Sequence, residues 1–250
     1  MKWTVVIPTL WKSERTLSLL EALNEESEIA EIIVIDNHPE KRPIDLNFNK
    51  IKYFPQKENI FVNPAWNKGV AKSSNQHVAL CNDDINFDTS IFSMMSSVNF
   101  DNTVYGCCPE NFNLEFSTNG QVKMTRGHYI TEGWGCLLLF DKRFFKPIPK
   151  SLLIWCGDDW LVHTFKKSRS FLWQMDTEMS TSSGVEELNQ IAKGDKRRFD
   201  DMLSYKSKNR INILNANRFG RYNSFSRLYD ALLKITRSVK RKILNRDGKS

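Results

Sequence analysis

Short apolar runs separated by helical patterns, each closed by a polar step, constrain the fold of this chain most. Val5-Val6-Ile7 ends at Pro8-Thr9, Ile32-Ile33-Val34-Ile35 at Asp36-Asn37, and His77-Val78-Ala79-Leu80 at Cys81-Asn82-Asp83-Asp84. A further run, Lys50 to Phe54, is bounded by Pro55. Between them lie helix signals: Ser13 as a cap with Leu17, Leu20 and Leu23 on one face, and Asn63 to Ala71 with Pro64 at the first helical position. Strands alternating with helices predict a mainly parallel sheet covered by helices on both faces. Ligands of such sheets sit beyond the carboxyl ends of the strands, where these polar steps arrive together.

The step after the fourth run carries two adjacent carboxylates, Asp83 and Asp84. Burial and mutual repulsion both raise the cost of ionising such a pair. A hard divalent cation relieves that cost, because Mg²⁺ or Mn²⁺ takes one or two carboxylates together with phosphate oxygens and water. An acidic turn is the other reading of the same residues.

The middle of the chain changes character. Thr103 to Cys108, Phe112 to Phe116 and Gln121 to Thr125 read as shorter strands, with Asn119-Gly120 as a hairpin turn between the last two. Gly133-Trp134-Gly135-Cys136 leads into the apolar run Leu137 to Phe140, and Phe171 to Met175 reads as a final strand. Between these, Trp155-Cys156-Gly157 precedes Asp158-Asp159 at the start of a helix. That acidic pair reads either as a first turn matched to the helix dipole or as acid–base machinery. The 250 residues suffice for one large domain, or a domain with an appendage. The five cysteines are odd in number and lack Cys-x-x-Cys spacing, which argues against a disulfide framework or a zinc site. No apolar run is long enough to span a membrane and no signal peptide is evident, so a cytoplasmic location is expected.

In order along the chain, six segments resemble the GT-A glycosyltransferases of the family-2-like group, of bacterial polysaccharide and O-antigen type. They are Val5-Val6-Ile7-Pro8-Thr9, Ile33 to Asn37, Glu58-Asn59-Ile60-Phe61 through Trp66-Asn67-Lys68-Gly69, Asn82-Asp83-Asp84, Gly133 to Phe140, and Trp155-Cys156-Gly157-Asp158-Asp159. The resemblance covers about residues 3–185. It implies an α/β fold, a Rossmann-like mixed, mainly parallel sheet flanked by helices. A domain at 1–190 is expected, with a nucleotide-sugar half near 1–100 and an acceptor half near 101–190, followed by a helical appendage at 191–250.

The resemblance implies an inverting transferase that moves a sugar from a nucleotide donor, a UDP-sugar first of all, to a glycan or polyprenyl-linked glycan. It gives Asn82-Asp83-Asp84 the place of the DxD motif, with Asn82 where that motif begins with Asp, and makes Asp84 the direct ligand of Mn²⁺ or Mg²⁺. Relatives complete the metal site with a His after the last strand; here either Glu178 or Asp176 is the carboxylate substitute, or Asp84, the diphosphate and water hold the metal alone. Pro8, Thr9, Asp36, Asn37, Asn67, Lys68, Asn82 and Asp83 are expected on the donor. Asp159 is expected as catalytic base with Asp158 orienting the acceptor, and Trp134, Gly135 and Trp155 as acceptor-side residues. A nucleotidyltransferase is the enzymatic alternative, but Pro8-Thr9-Leu10-Trp11-Lys12 lacks its glycine-rich loop. A catalytically silent nucleotide-sugar or membrane-binding module is the other.

Ten Lys or Arg and two Asp fall between Arg218 and Ser250, so this tail carries +8 while the preceding residues carry −1 of the net +7. Phe225, Leu228, Leu232, Ile235, Val239 and Ile243 recur at helical spacing among these bases. A basic amphipathic helix of this kind suits an anionic membrane surface and predicts a peripheral protein at the inner face of the cell membrane. Packing on the body or on a partner helix is the alternative; no nucleic-acid motif accompanies the charge.

Overall fold

The computed structural model describes residues 1–43, 48–108, 111, 121–125, 134–177 and 186–208. The hairpin expected at 112–120, Gly133, the candidate ligand Glu178 and the basic pattern at 218–250 lie outside the described residues. The chain divides into two compact units, Met1–Phe199 and Asp200–Ser250.

The first unit is built on an eight-stranded sheet. Its described strands are β1 (Trp3–Thr9), β2 (Ile29–Asp36), β3 (Ile51–Pro55), β4 (His77–Cys81), β6 (Thr103–Cys107), β7 (Lys123–Thr125), β8 (Leu137–Asp141) and β9 (Lys167–Leu172). A separate antiparallel pair joins β5 (Ile85–Phe87) to β10 (Met175–Thr177). The described helices are α1 (Arg15–Glu25), α2 (Val62–Lys72), α3 (Ile91–Met95), α4 (Gly157–Thr164) and α5 (Glu186–Lys208), the last ending in the second unit.

The strand order is β3-β2-β1-β4-β8-β6-β9-β7. The first four run parallel, β8 runs antiparallel between β4 and β6, and β9 returns parallel to β6. This is the mixed, mainly parallel sheet expected. β1 and β8 are buried along their whole length, as continuous apolar runs covered on both faces require. The chain steps outward from β1 to β2 and β3, then crosses to the other side of β1 for β4. That reversal opens a crevice at the carboxyl ends of β1 and β4.

Local details depart from the sequence reading. Leu17 is an exposed residue of α1, whose buried face is Thr16, Leu19, Leu20 and Leu23. The helix begins at Arg15, and its inward stripe follows from that start. Pro64 is the third residue of α2, still in the first turn, where a missing N–H costs no helical bond. The strand expected at Phe171 to Met175 is two strands, β9 starting earlier at Lys167 and β10 starting at Met175. The break comes at Trp173, whose N–H turns to Asn111 Oδ1 (3.1 Å) and whose indole donates to the Asp88 carbonyl (2.8 Å). The first unit also runs past the expected boundary at 190, because Ala192, Asp195 and Phe199 of α5 are buried in it. Among the described residues, no helix is long and apolar enough to cross a membrane.

Candidate active site

A cavity of about 490 Å³ opens at the carboxyl edge of the sheet. Pro8 and Thr9 of β1, Asn37 after β2, and Asn82-Asp83 after β4 line it. Gly135, Trp155, Asp158 and Asp159 line it too, and Leu188 and Lys196 of α5 contribute as well. The structure thus brings nine of the residues singled out in the sequence to one space.

The floor is stitched across strand ends. The Asn37 N–H donates to the Thr9 carbonyl (2.9 Å), and the Gln56 N–H to that of Asp36 (2.9 Å). The Thr9 hydroxyl donates to Asp83 Oδ2 (2.6 Å), and the Thr16 hydroxyl donates to the Asp83 carbonyl (3.2 Å). Asp83 and Asp84 are both buried. Burial, with the charge of Asp84, pushes the Asp83 carboxyl up to about 6, against the pull of Thr9 and of backbone N–H donors. Cys136 feels both acidic centres: burial and the charges of Asp84 and Asp158 raise its thiol to about 12.

The start of α4 brings the second acidic pair to the cavity. Cys156 adopts a left-handed conformation (φ 61°) that turns the chain into the helix. Gly157 follows, and a Cβ there would overlap Asn63 Oδ1, so α2 and α4 approach at a glycine. Asp158 accepts the Asp159 N–H (3.0 Å) and lies against Gly135, where an added Cβ would stand 3.0 Å from its Oδ2. Burial holds the Asp158 carboxyl above the ordinary carboxylate range. Asp159 is half-buried beside it, and Trp155, 48% exposed, forms part of the rim.

Other expected residues have protein partners. Asp36 is fully buried; its carboxylate accepts the His38 N–H (2.8 Å) and the Tyr53 hydroxyl. Burial, reinforced by Asp36, pushes that phenol up to about 12, and Arg42 stacks over the ring. Asp36 therefore shapes the end of β2 from behind the cavity. The Asn67 amide is held by the backbone of Ile148, donating and accepting at 2.8 Å. Lys68 donates to Gln56 Oε1 (2.6 Å), and Trp134 is buried with its indole donating to Ser170 Oγ (3.1 Å). None of these four lines the cavity.

The acid pair fits a hard cation by its chemistry: two buried carboxylates and the Asn82 amide carbonyl offer oxygen donors, while Asn82 Nδ2 turns to Cys136 Sγ (3.8 Å). Among the described residues, no three His, Cys, Asp or Glu side chains gather as a metal cage. β10 pairs Thr177 with Ile85, the residue after Asp84. Asp176 points elsewhere, ion-paired to Arg15 (2.8 Å).

Sequence reasoning missed Asn63, Lys196 and Asp195. Asn63 and Asp195 act through backbone groups about 40 to 90 residues away, and no local pattern carries that information.

The glycosyl transferase family 2 model matches residues 4–153. Among curated proteins, none matches by sequence. Among solved structures, S. aureus TarS 1-349 in complex with UDP-GlcNAc is similar at 12% identity and a TM-score of 0.50, covering 76% of this chain and 64% of that one. GalNAc-T7 with UDP, GalNAc and Mn²⁺ is similar at 11% identity and 0.50, covering 70% and 43%. These likenesses are of fold, the GT-A fold, and the chain spans less than two thirds of either relative.

Proposed function

This chain belongs to glycosyl transferase family 2 and is a glycosyltransferase; from that premise we propose that the cavity transfers a sugar, with inversion, from a nucleotide donor to a glycan hydroxyl. The observation that carries the reading is the meeting of two acidic segments at one cavity, Asn82-Asp83, followed in the chain by the buried Asp84, and Asp158-Asp159 at the start of α4.

On the donor side, Pro8, Thr9, Asn37 and Asn82 face the nucleotide, and Asp36 braces the end of β2 that leads to Asn37. Asp84, with Asp83, would hold Mn²⁺ or Mg²⁺, which supplies Lewis-acid charge to the departing diphosphate when bound. The choice of a UDP-sugar and Mn²⁺ follows the two fold relatives, one solved with UDP-GlcNAc and the other with UDP and Mn²⁺.

On the acceptor side, Asp159 takes the proton from the acceptor hydroxyl as that oxygen bonds to the anomeric carbon. The bond from that carbon to the diphosphate oxygen breaks, and the nucleotide leaves with the electron pair. Asp158 is the orienting partner: its carboxyl is pressed against Gly135 and bonded to the Asp159 N–H. Trp155 offers a ring face to the acceptor sugar.

The acceptor is a glycan or polyprenyl-linked glycan at the inner face of the membrane, reached through the basic amphipathic pattern at 225–243. Sedimentation with phosphatidylglycerol vesicles tests the membrane step. A protein that stays in the supernatant would end that part of the reading.

The transfer reading is tested with a panel of UDP-, GDP- and dTDP-sugars, with Mn²⁺ or with chelator. Slow, metal-dependent release of one nucleotide is expected. No release and no thermal stabilisation by any of them would overturn it.

A further inference from the structure

The segment just before the acidic pair of α4 is irregular, and its backbone groups are satisfied from two different helices. Its carbonyls turn to α2: the Asn63 N–H donates to the Leu153 carbonyl (3.0 Å), and Asn63 Nδ2 to that of Trp155 (3.0 Å). Its N–H groups turn to α5. The Ile154 and Trp155 N–H groups donate to Asp195 Oδ2 (2.7 and 2.9 Å), and the Leu153 N–H reaches both Asp195 oxygens (3.0 and 3.1 Å). Asp195 is fully buried, and its charge is balanced by Arg198, whose Nη2 donates to Oδ1 (2.7 Å).

Three consecutive N–H groups converging on one carboxylate form an anion nest filled by the protein itself. Hydrogen bonds to a charged acceptor are stronger than neutral ones, and losing that acceptor would leave three part-buried N–H groups without it. The clamped peptides lead directly to Cys156, whose left-handed turn aims the first turn of α4. Whatever fixes residues 153–155 therefore fixes Trp155, Asp158 and Asp159. The same helix places Leu188 and Lys196 in the cavity wall, although α5 lies beyond the span matched by the family model.

We propose that Asp195 is a positioning residue for transfer: from α5 it clamps the backbone of residues 153–155 and so holds the acceptor-side acids in register with the donor side. The proposal rests on reading the cavity as the transfer site, but the clamp itself is measurable without turnover.

The experiment compares the full chain with Asp195→Ala and Asp195→Asn by three readouts. These are amide hydrogen exchange across residues 153–157, affinity for UDP with Mn²⁺, and turnover of the nucleotide sugar that the panel identifies. For Asp195→Ala, exchange at 153–157 accelerates while β1 and β4 keep their protection. Its kcat falls roughly 100-fold, with the UDP affinity held within about twofold. Asp195→Asn, which keeps one acceptor oxygen, falls between the two. Wild-type exchange at 153–157 in Asp195→Ala would overturn the clamp. Loss of protection across β1 and β4, with UDP affinity falling as far as kcat, would reduce Asp195 to a fold-stabilising residue and overturn the positioning role. A wild-type protein that turns over no nucleotide sugar defeats the functional reading instead, and the exchange result alone then decides whether the clamp exists.

Discussion

At the scale of single residues, the start of α4 depends on a small side chain that lets helices approach. Gly157 is the sharpest case, because any Cβ there meets Asn63 on α2. Gly157→Ala is expected to destabilise the protein by about 1–3 kcal/mol, since the helices must part to admit it. Urea denaturation of the two proteins measures this, and an unchanged midpoint would show that α4 shifts without cost. Trp155 makes the opposite prediction. Its ring is 48% exposed at the rim, so Trp155→Ala is expected to change stability by no more than about 0.5 kcal/mol. It raises the KM for the glycan acceptor roughly tenfold, in line with a lost stacking contact. An acceptor KM that does not move would remove Trp155 from the acceptor site.

At the scale of elements, strand ends were legible in the sequence and side-chain assignments were less so. β1, β2 and β4 announced themselves as apolar runs closed by polar steps, and the physical rule that ligands gather at carboxyl ends placed Thr9, Asn37 and Asn82-Asp83 correctly at the cavity. Asp36, Asn67 and Lys68 carry the same kind of polar group, yet the fold gives each a protein partner. Sequence shows that a residue sits at a strand end but not whether its side chain turns inward along the sheet or outward to a ligand. The opposite edge of the sheet has its own network. Glu31 of β2 is 3% exposed and accepts from the Thr4 hydroxyl (2.6 Å), Lys52 (2.5 Å) and the Ser74 N–H (2.8 Å). Burial pushes its carboxyl up, but these donors outweigh it and hold it below the usual value. A depressed carboxylate contributes stability that is present above its unfolded value and lost as pH falls through the folded one. Acidification below about pH 4.5 is therefore expected to weaken the fold through Glu31. Glu31→Gln is expected to cost about 1–3 kcal/mol at pH 7 and to flatten that acid limb. Denaturation midpoints between pH 3 and pH 7 read both effects; a variant with the wild-type pH profile would contradict the assignment.

At the scale of the whole molecule, the ends of the parallel strands β1, β2 and β4 and the return through β8, α4 and α5 both bring polar groups to one cavity. Cys136 feels the charges of both Asp84 and Asp158. In the transfer reading proposed above, the acid pairs have separate tasks, one for the diphosphate and one for the acceptor proton. The most direct test sets Asp84→Asn beside Asp159→Asn and measures, for each, the affinity for UDP with Mn²⁺ together with turnover of the nucleotide sugar. Division of labour predicts that Asp84→Asn loses both the metal-dependent affinity and turnover. Asp159→Asn binds as the wild type does but loses roughly 100-fold or more in turnover, the scale of a positioned general base. Equal loss of binding in both variants, or full turnover by Asp159→Asn, would contradict it.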